Sequence, residues 1–184
     1  MKKSICISGL LVLIVYYLLF KSTIPGQILM DGMLVYTEGE TYERAWNAYE
    51  ELPDKVQDMF EDNNYRMHVV DLIDNDKYIM GQTNFGSRLV LLKNNGPYIE
   101  RTTFHEFGHI LDDELAVTFI SRSDEFISIY NEEKENFKAD NNVEYFISTP
   151  LEYFASAFSE YMIRPERLKY NTPKTYEFIE QCLE

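Results

Sequence analysis

An α+β fold is predicted by three features of this 184-residue sequence. Residues 65–92 are rich in valine, leucine and isoleucine and are broken by turn residues. A long helical pattern follows Asn94-Asn95-Gly96-Pro97. Most of the chain after that point carries apolar residues at helical spacing. Together they predict a small sheet, a central helix and a helical C-terminal half.

The elements follow in chain order. Met1-Lys2-Lys3 and the apolar run Ile5–Phe20 read as an export signal or an N-terminal membrane anchor (residues 1–21), not as part of the fold. Sixteen helical residues would span roughly 24 Å, slightly short of a comfortable bilayer crossing. No good small-residue cleavage site follows between Lys21 and Met30, which favours an uncleaved tether through residues 4–20 with the folded part outside the cytoplasm. Residues 22–39 are expected as linker and 40–184 as one domain.

From Thr41 to Asp62, Tyr42, Ala45, Trp46 and Tyr49 share one helix face. Val56, Met59 and Phe60 share a second, and Pro53 separates two short helices. Strands are predicted at Tyr65–Ile73, Lys77–Met80 and Ser87–Leu92, with Asp74-Asn75-Asp76 as a turn. A helix opens at Pro97. Ser121 and Asp124 resemble a capping box and start another, running to about Phe137. Lys138–Asn142 is loop, Thr149-Pro150 opens a further helix, and Thr172-Pro173 a last one.

The formal charge is −14, and the part after Lys21 carries 14 basic against 31 acidic residues. Such a field repels nucleic acid and anionic lipid, so no nucleic-acid partner is expected, and it favours cationic partners. Cys6 lies in the apolar run and Cys182 near the end, so the fold must stand without a disulfide.

Chemistry enters with His105-Glu106-Phe107-Gly108-His109. Residues four apart share one helix face, so both imidazoles can reach a single ion. Glu106 is placed to take a proton from a water rather than to coordinate. Paired imidazoles suit zinc, which keeps an open position in catalytic sites. His68 has no spaced partner and reads as a core or edge residue. A third ligand is required. Leu115 stands where the extended three-histidine pattern needs histidine, which leaves an acid on a later helix: Glu144, Glu152 or Glu160. Glu152 opens a well-punctuated helix, although Thr149-x-x-Glu152 is itself a capping box in which Glu152 could simply bond the Thr149 amide.

The segment His105–Asp113 resembles the active-site helix of the anthrax lethal factor-like zinc metallopeptidases, which include the Pro-Pro endopeptidases. Tyr145-x6-Glu152-Tyr153-Phe154-Ala155-x-Ala157-Phe158 is similar to the family's second element. Pro165–Lys169 and Pro173–Ile179 are similar to the lethal-factor C-terminus, so the resemblance covers about residues 84–183. It implies a zincin-like metallopeptidase domain with one zinc ion, Glu152 as third ligand beside His105 and His109, and Glu106 as base. It implies Tyr145 as a donor to the oxyanion and the strand around Gly86, Ser87, Arg88, Leu89 and Val90 as the edge that binds an extended peptide. It includes nothing of the lethal factor's N-terminal region, so a local role in trimming surface or secreted proteins is expected over a toxin's. The implied substrate is a peptide or protein, basic or proline-containing at the cut. Relatives carry an acid one turn after the ligand glutamate, where this chain has Ser156. Asp112 or Asp113 would have to take its place, or metal binding would be weaker. The alternative is a weak or inactive zinc-binding interaction domain on the cell surface.

Overall fold

A computed structural model describes residues 26–184 except Asp31, Asn95 and Asn141. The apolar N-terminal run, and with it the signal or anchor expectation, lies outside the described residues. Among the described residues no helix is long and apolar enough to cross a membrane.

A five-stranded sheet and a helical half build the domain, as the hydrophobic patterning predicts. The strands are β1 (Gln27–Met30), β2 (Met33–Tyr36), β3 (Arg66–Val70), β4 (Gly81–Asn84) and β5 (Leu89–Lys93). Their spatial order is β1-β2-β3-β5-β4, with β3 and β5 parallel and the other neighbours antiparallel. The helices are α1 (Glu40–Glu50), α2 (Asp54–Asp62), α3 (Ile99–Glu114), α4 (Asp124–Glu133), α5 (Val143–Phe146), α6 (Pro150–Ile163), α7 (Pro165–Asn171) and α8 (Pro173–Leu183).

Strands β3 and β5 bury both faces. Met67, Val69, Val90 and Leu92 point into the main core with the helices, while Val70, Leu89 and Leu91 join Val35 and Ile73 in a smaller cluster on the other side. Near-continuous burial, with successive side chains going to opposite faces, marks β3 and β5 as central strands. His68, between Met67 and Val69 on β3, is buried, as its lone position in the sequence suggested.

Four local expectations are corrected. Residues 27–36, expected as linker, form β1 and β2, and Tyr36 pairs with Val69 of β3. The second strand is Gly81–Asn84 rather than Lys77–Met80, because Gly81 to Asn84 pair with Leu92 to Leu89. The cap of α4 is Ser123, whose hydroxyl accepts from the Phe126 amide at 3.2 Å; α4 itself ends at Glu133 and continues as a 3-10 turn. Ser121 is buried and donates its amide to Asp112 instead.

Two contacts fix the helical half. The first is between α3 and α6, where a Cβ on Gly108 would sit 2.8 Å from Ala155 Cα. Only glycine lets the two backbones approach this closely. The second is at α8, whose first turn has no cap of its own. The buried Glu133 carboxylate accepts from the Lys174 and Thr175 amides at 3.0 and 2.9 Å and from the Thr175 hydroxyl at 2.8 Å. A carboxylate at a helix N-terminus satisfies orphan donors and opposes the helix dipole.

Candidate metal centre and active site

Helix α3 carries His105, Glu106 and His109, all buried, on the side facing α6 and the sheet. Glu152 enters from the first turn of α6. The Thr149 hydroxyl accepts the Glu152 amide at 3.1 Å, so half of the capping box forms. The Glu152 carboxylate turns inward instead of closing the box. Its Oε2 lies 3.3 Å from His105 Nε2 and 3.8 Å from His109 Nε2.

The three ligand atoms lie within 4.8 Å of one another. Nitrogen and oxygen ligands about 2.0–2.2 Å from a tetrahedral zinc are separated by roughly 3.3–3.6 Å, so the donor set fits such an ion. Glu152 Oε2 is buried and accepts no hydrogen bond among the described residues. A buried anionic oxygen without a donor is costly unless a cation meets it. Burial pushes the Glu152 carboxyl up, but His105, His109 and Tyr145 outweigh it and leave it below its ordinary value. Burial, then the charge of His105, depresses His109 to about 3, which keeps it neutral, the form that coordinates a metal. The other acids weighed for this position are elsewhere. Glu144 is exposed on α5, and Glu160 is fully buried between Arg101 and Arg167.

Glu106 projects from the same turn toward β4. Burial raises its carboxyl to about 7, against lowering contributions from His105 and from the Thr83 hydroxyl. Thr83 Oγ1 lies 2.8 Å from Glu106 Oε2 and 3.0 Å from the Glu106 carbonyl. Tyr145, on α5, is half exposed, and its hydroxyl interacts with the Glu152 carboxylate. Partial burial and that carboxylate raise its pKa, so the hydroxyl keeps its proton. A cavity of about 340 Å³ opens beside these groups. Gly81, Arg101, His105, Glu106, Tyr145 and Ser156 are on its wall.

The expected substrate edge is corrected by the topology. Leu89 and Val90 belong to β5, which is hydrogen-bonded to β3 on one side and β4 on the other, and both side chains are buried. Gly86, Ser87 and Arg88 form the turn between β4 and β5, and Arg88 pairs with Glu114 and Tyr65. The outer strand beside the site is β4.

Neither Asp112 nor Asp113 replaces the acid missing at Ser156. Asp112 accepts the Ser121 amide, and Asp113 faces Arg88 and Tyr65. Ser156 itself does so, with its hydroxyl 3.2 Å from His105 Nδ1. Sequence reading missed Thr83 and Gly81. Neither belongs to a spaced motif, and no local pattern shows that β4 lies across Glu106.

Three comparisons bear on this arrangement. The family model described as Anthrax toxin lethal factor, N- and C-terminal domain, matches residues 40–182. A Pro-Pro endopeptidase of Paenibacillus alvei is 39% identical over 79 residues, which cover 41% of this chain and 35% of that protein, so the match spans about a third of the relative's length. The solved structure of the Pro-Pro endopeptidase PPEP-2 from the same organism superposes with a TM-score of 0.56 at 20% identity, covering 78% of this chain and 94% of that one. The shared fold is the zincin-like one, with its small sheet and helical half. With the family model matched over most of its length, this chain belongs to the anthrax toxin lethal factor family.

Proposed function

We propose that the protein is an extracytoplasmic zinc endopeptidase in which His105, His109 and Glu152 hold one metal ion and Glu106 is the catalytic base. The observation that carries this reading is the convergence of both Nε2 atoms and one carboxylate oxygen beside a buried glutamate and an open cavity. Zinc held there would supply a Lewis acid for a peptide carbonyl and would lower the pKa of a water to about 7.

The remaining work falls to the chain. Glu106, buried beside the ligands, takes a proton from the attacking water and passes it to the departing amine. Tyr145 donates its retained proton as a hydrogen bond to the oxyanion. An extended peptide adds to the outer edge of β4, backbone to backbone. The net charge of −14 draws cationic flanks toward the site. The names of the related proteins support proline at the cleaved bond. The apolar run Ile5–Phe20 supports a catalytic domain held outside the cytoplasm, tethered or secreted.

The test is cleavage of an unstructured peptide library, rich in Pro-Pro and basic sequences, by the purified full chain with and without chelator. Cleavage that needs about one zinc per chain, and that Glu106→Gln abolishes while still binding zinc, is expected. Chelator-insensitive cleavage refutes the assignment. Zinc binding with no cleaved peptide returns the chain to an interaction module. Recovery of the protein in the cytosolic fraction refutes the placement outside.

A further inference from the structure

The outer strand β4 does more than border the cavity. Thr83 and Gly81 alternate along it and both meet Glu106. Thr83 Oγ1 lies 2.8 Å from Oε2 of the buried carboxylate. An added Cβ at Gly81 would lie 2.5 Å from Glu106 Oε1 and 2.8 Å from its Cγ. One residue therefore grips one carboxylate oxygen, and the other leaves the space that the second oxygen needs.

We infer that Thr83 and Gly81 are positioning residues for Glu106, making Oε1 the atom that carries the proton from water to amine. This rests on the endopeptidase reading. A hydroxyl has one proton to give, and Thr83 has two acceptors on the same residue, Glu106 Oε2 at 2.8 Å and the Glu106 carbonyl at 3.0 Å. When Glu106 is ionised, the charged oxygen is the stronger acceptor and takes that proton in a hydrogen bond. When Oε1 has taken the water's proton, Oε2 is a weaker acceptor but still accepts from the Thr83 hydroxyl. No bond to Thr83 is made or broken, and its proton stays on Oγ1. The carboxyl can thus load and unload without losing its orientation.

Gly81 has a matching reason. It pairs with Leu92 in the ladder, so its backbone is fixed, and a methyl group there would press on the Glu106 side chain and on Thr102 Cγ2, 2.6 Å away. Glu106 and Gly81 are on the cavity wall and Thr83 is not, which favours the oxygen beside Gly81, over the one bonded to Thr83, as the substrate-side atom.

The experiment compares the full-length Thr83→Val, Thr83→Ser and Gly81→Ala proteins with wild type. Threonine to valine keeps the shape and removes the hydroxyl. It is expected to lower kcat roughly 10–100-fold with KM and zinc content unchanged, the scale of a misplaced catalytic group. Serine restores most of the rate, and alanine at position 81 loses at least as much as valine at 83. Crystals of the zinc-free proteins give a readout without turnover: the Glu106 carboxylate leaves its wild-type rotamer in Thr83→Val and Gly81→Ala and keeps it in Thr83→Ser. Wild-type kcat in Thr83→Val, equal impairment in serine and valine, lost zinc in Thr83→Val, or an unmoved Glu106 overturns the inference. If wild type cleaves no peptide, the endopeptidase reading fails by itself, and the rotamers alone decide whether Thr83 and Gly81 hold Glu106.

Discussion

Ser156 Oγ lies 3.2 Å from His105 Nδ1, on the ring nitrogen opposite the one that faces Glu152. A hydroxyl that accepts the Nδ1 proton fixes the tautomer with Nε2 free to bind a metal. It does so without the negative charge that would make the ring more basic. Ser156→Ala is expected to weaken zinc binding about 10-fold, and Ser156→Glu to tighten it by up to about 10-fold. Competition with a fluorescent chelator measures both. Unchanged affinity in the pair would show that His105 needs no partner at Nδ1.

Gly108 sits inside the metal motif and against Ala155 of α6, and a methyl group there would meet the Ala155 Cα at 2.8 Å and its carbonyl at 3.0 Å. In an exposed helix alanine is the better residue by roughly 1 kcal/mol. Here packing wins, and Gly108→Ala should destabilise the fold by about 1–3 kcal/mol while moving Glu152 away from the two imidazoles. Thermal melts and zinc titration check it. A stabilised variant would mean that α6 shifts freely.

Asp112 is buried beside Ser121, and its Oδ2 has no hydrogen-bond partner among the described residues. Burial, partly offset by the Ser121 amide, raises its carboxyl to about 6. In the unfolded chain the group titrates near 3.9, so the folded state holds this proton more tightly. The contribution to stability is complete below that value and is lost as pH rises through about 6. Asp112→Asn keeps an acceptor for Ser121 and removes the charge. It should exceed wild type by about 1–3 kcal/mol at pH 8 and match it near pH 4. Urea midpoints at the two pH values decide, and an equal gap at both would remove the titration argument.

Tyr145 stands at the cavity with its hydroxyl toward Glu152. Tyr145→Phe is expected to lower kcat about 10²–10³-fold, the cost of losing one oxyanion donor, with KM and zinc content little changed. A rise in KM with kcat intact would instead make Tyr145 a substrate-binding group.

Much of the fold was legible because helical and strand periods survive in the sequence. The apolar faces of α1, α2 and α6 and the unbroken apolar run of β5 report burial directly. The hairpin Gln27–Tyr36 was not legible. Four-residue strands give too short a period, and Ile28, Leu29 and Leu34 are exposed, so no buried face marks it. The start of α8 shows the same limit from another side. Thr172-Pro173 marks the helix, but the group that caps it is Glu133, forty residues earlier.

Within the site, the sequence alone determined the pair His105 and His109 with Glu106 between them. A spacing of four on one helix is a local matter, settled by 3.6 residues per turn. It favoured Glu152 among three acids, as the one that opens a well-punctuated helix, and left open whether that side chain only caps the helix. Only the tertiary structure decided that Glu152 turns toward the imidazoles, that Ser156 meets His105, and that Thr83 and Gly81 of the outer strand grip Glu106. The physical reason is distance along the chain. These contacts join residues more than twenty positions apart, and what fixes them is how closely α6 approaches α3 at Gly108 and which strand closes the sheet, neither of which has a local period to read.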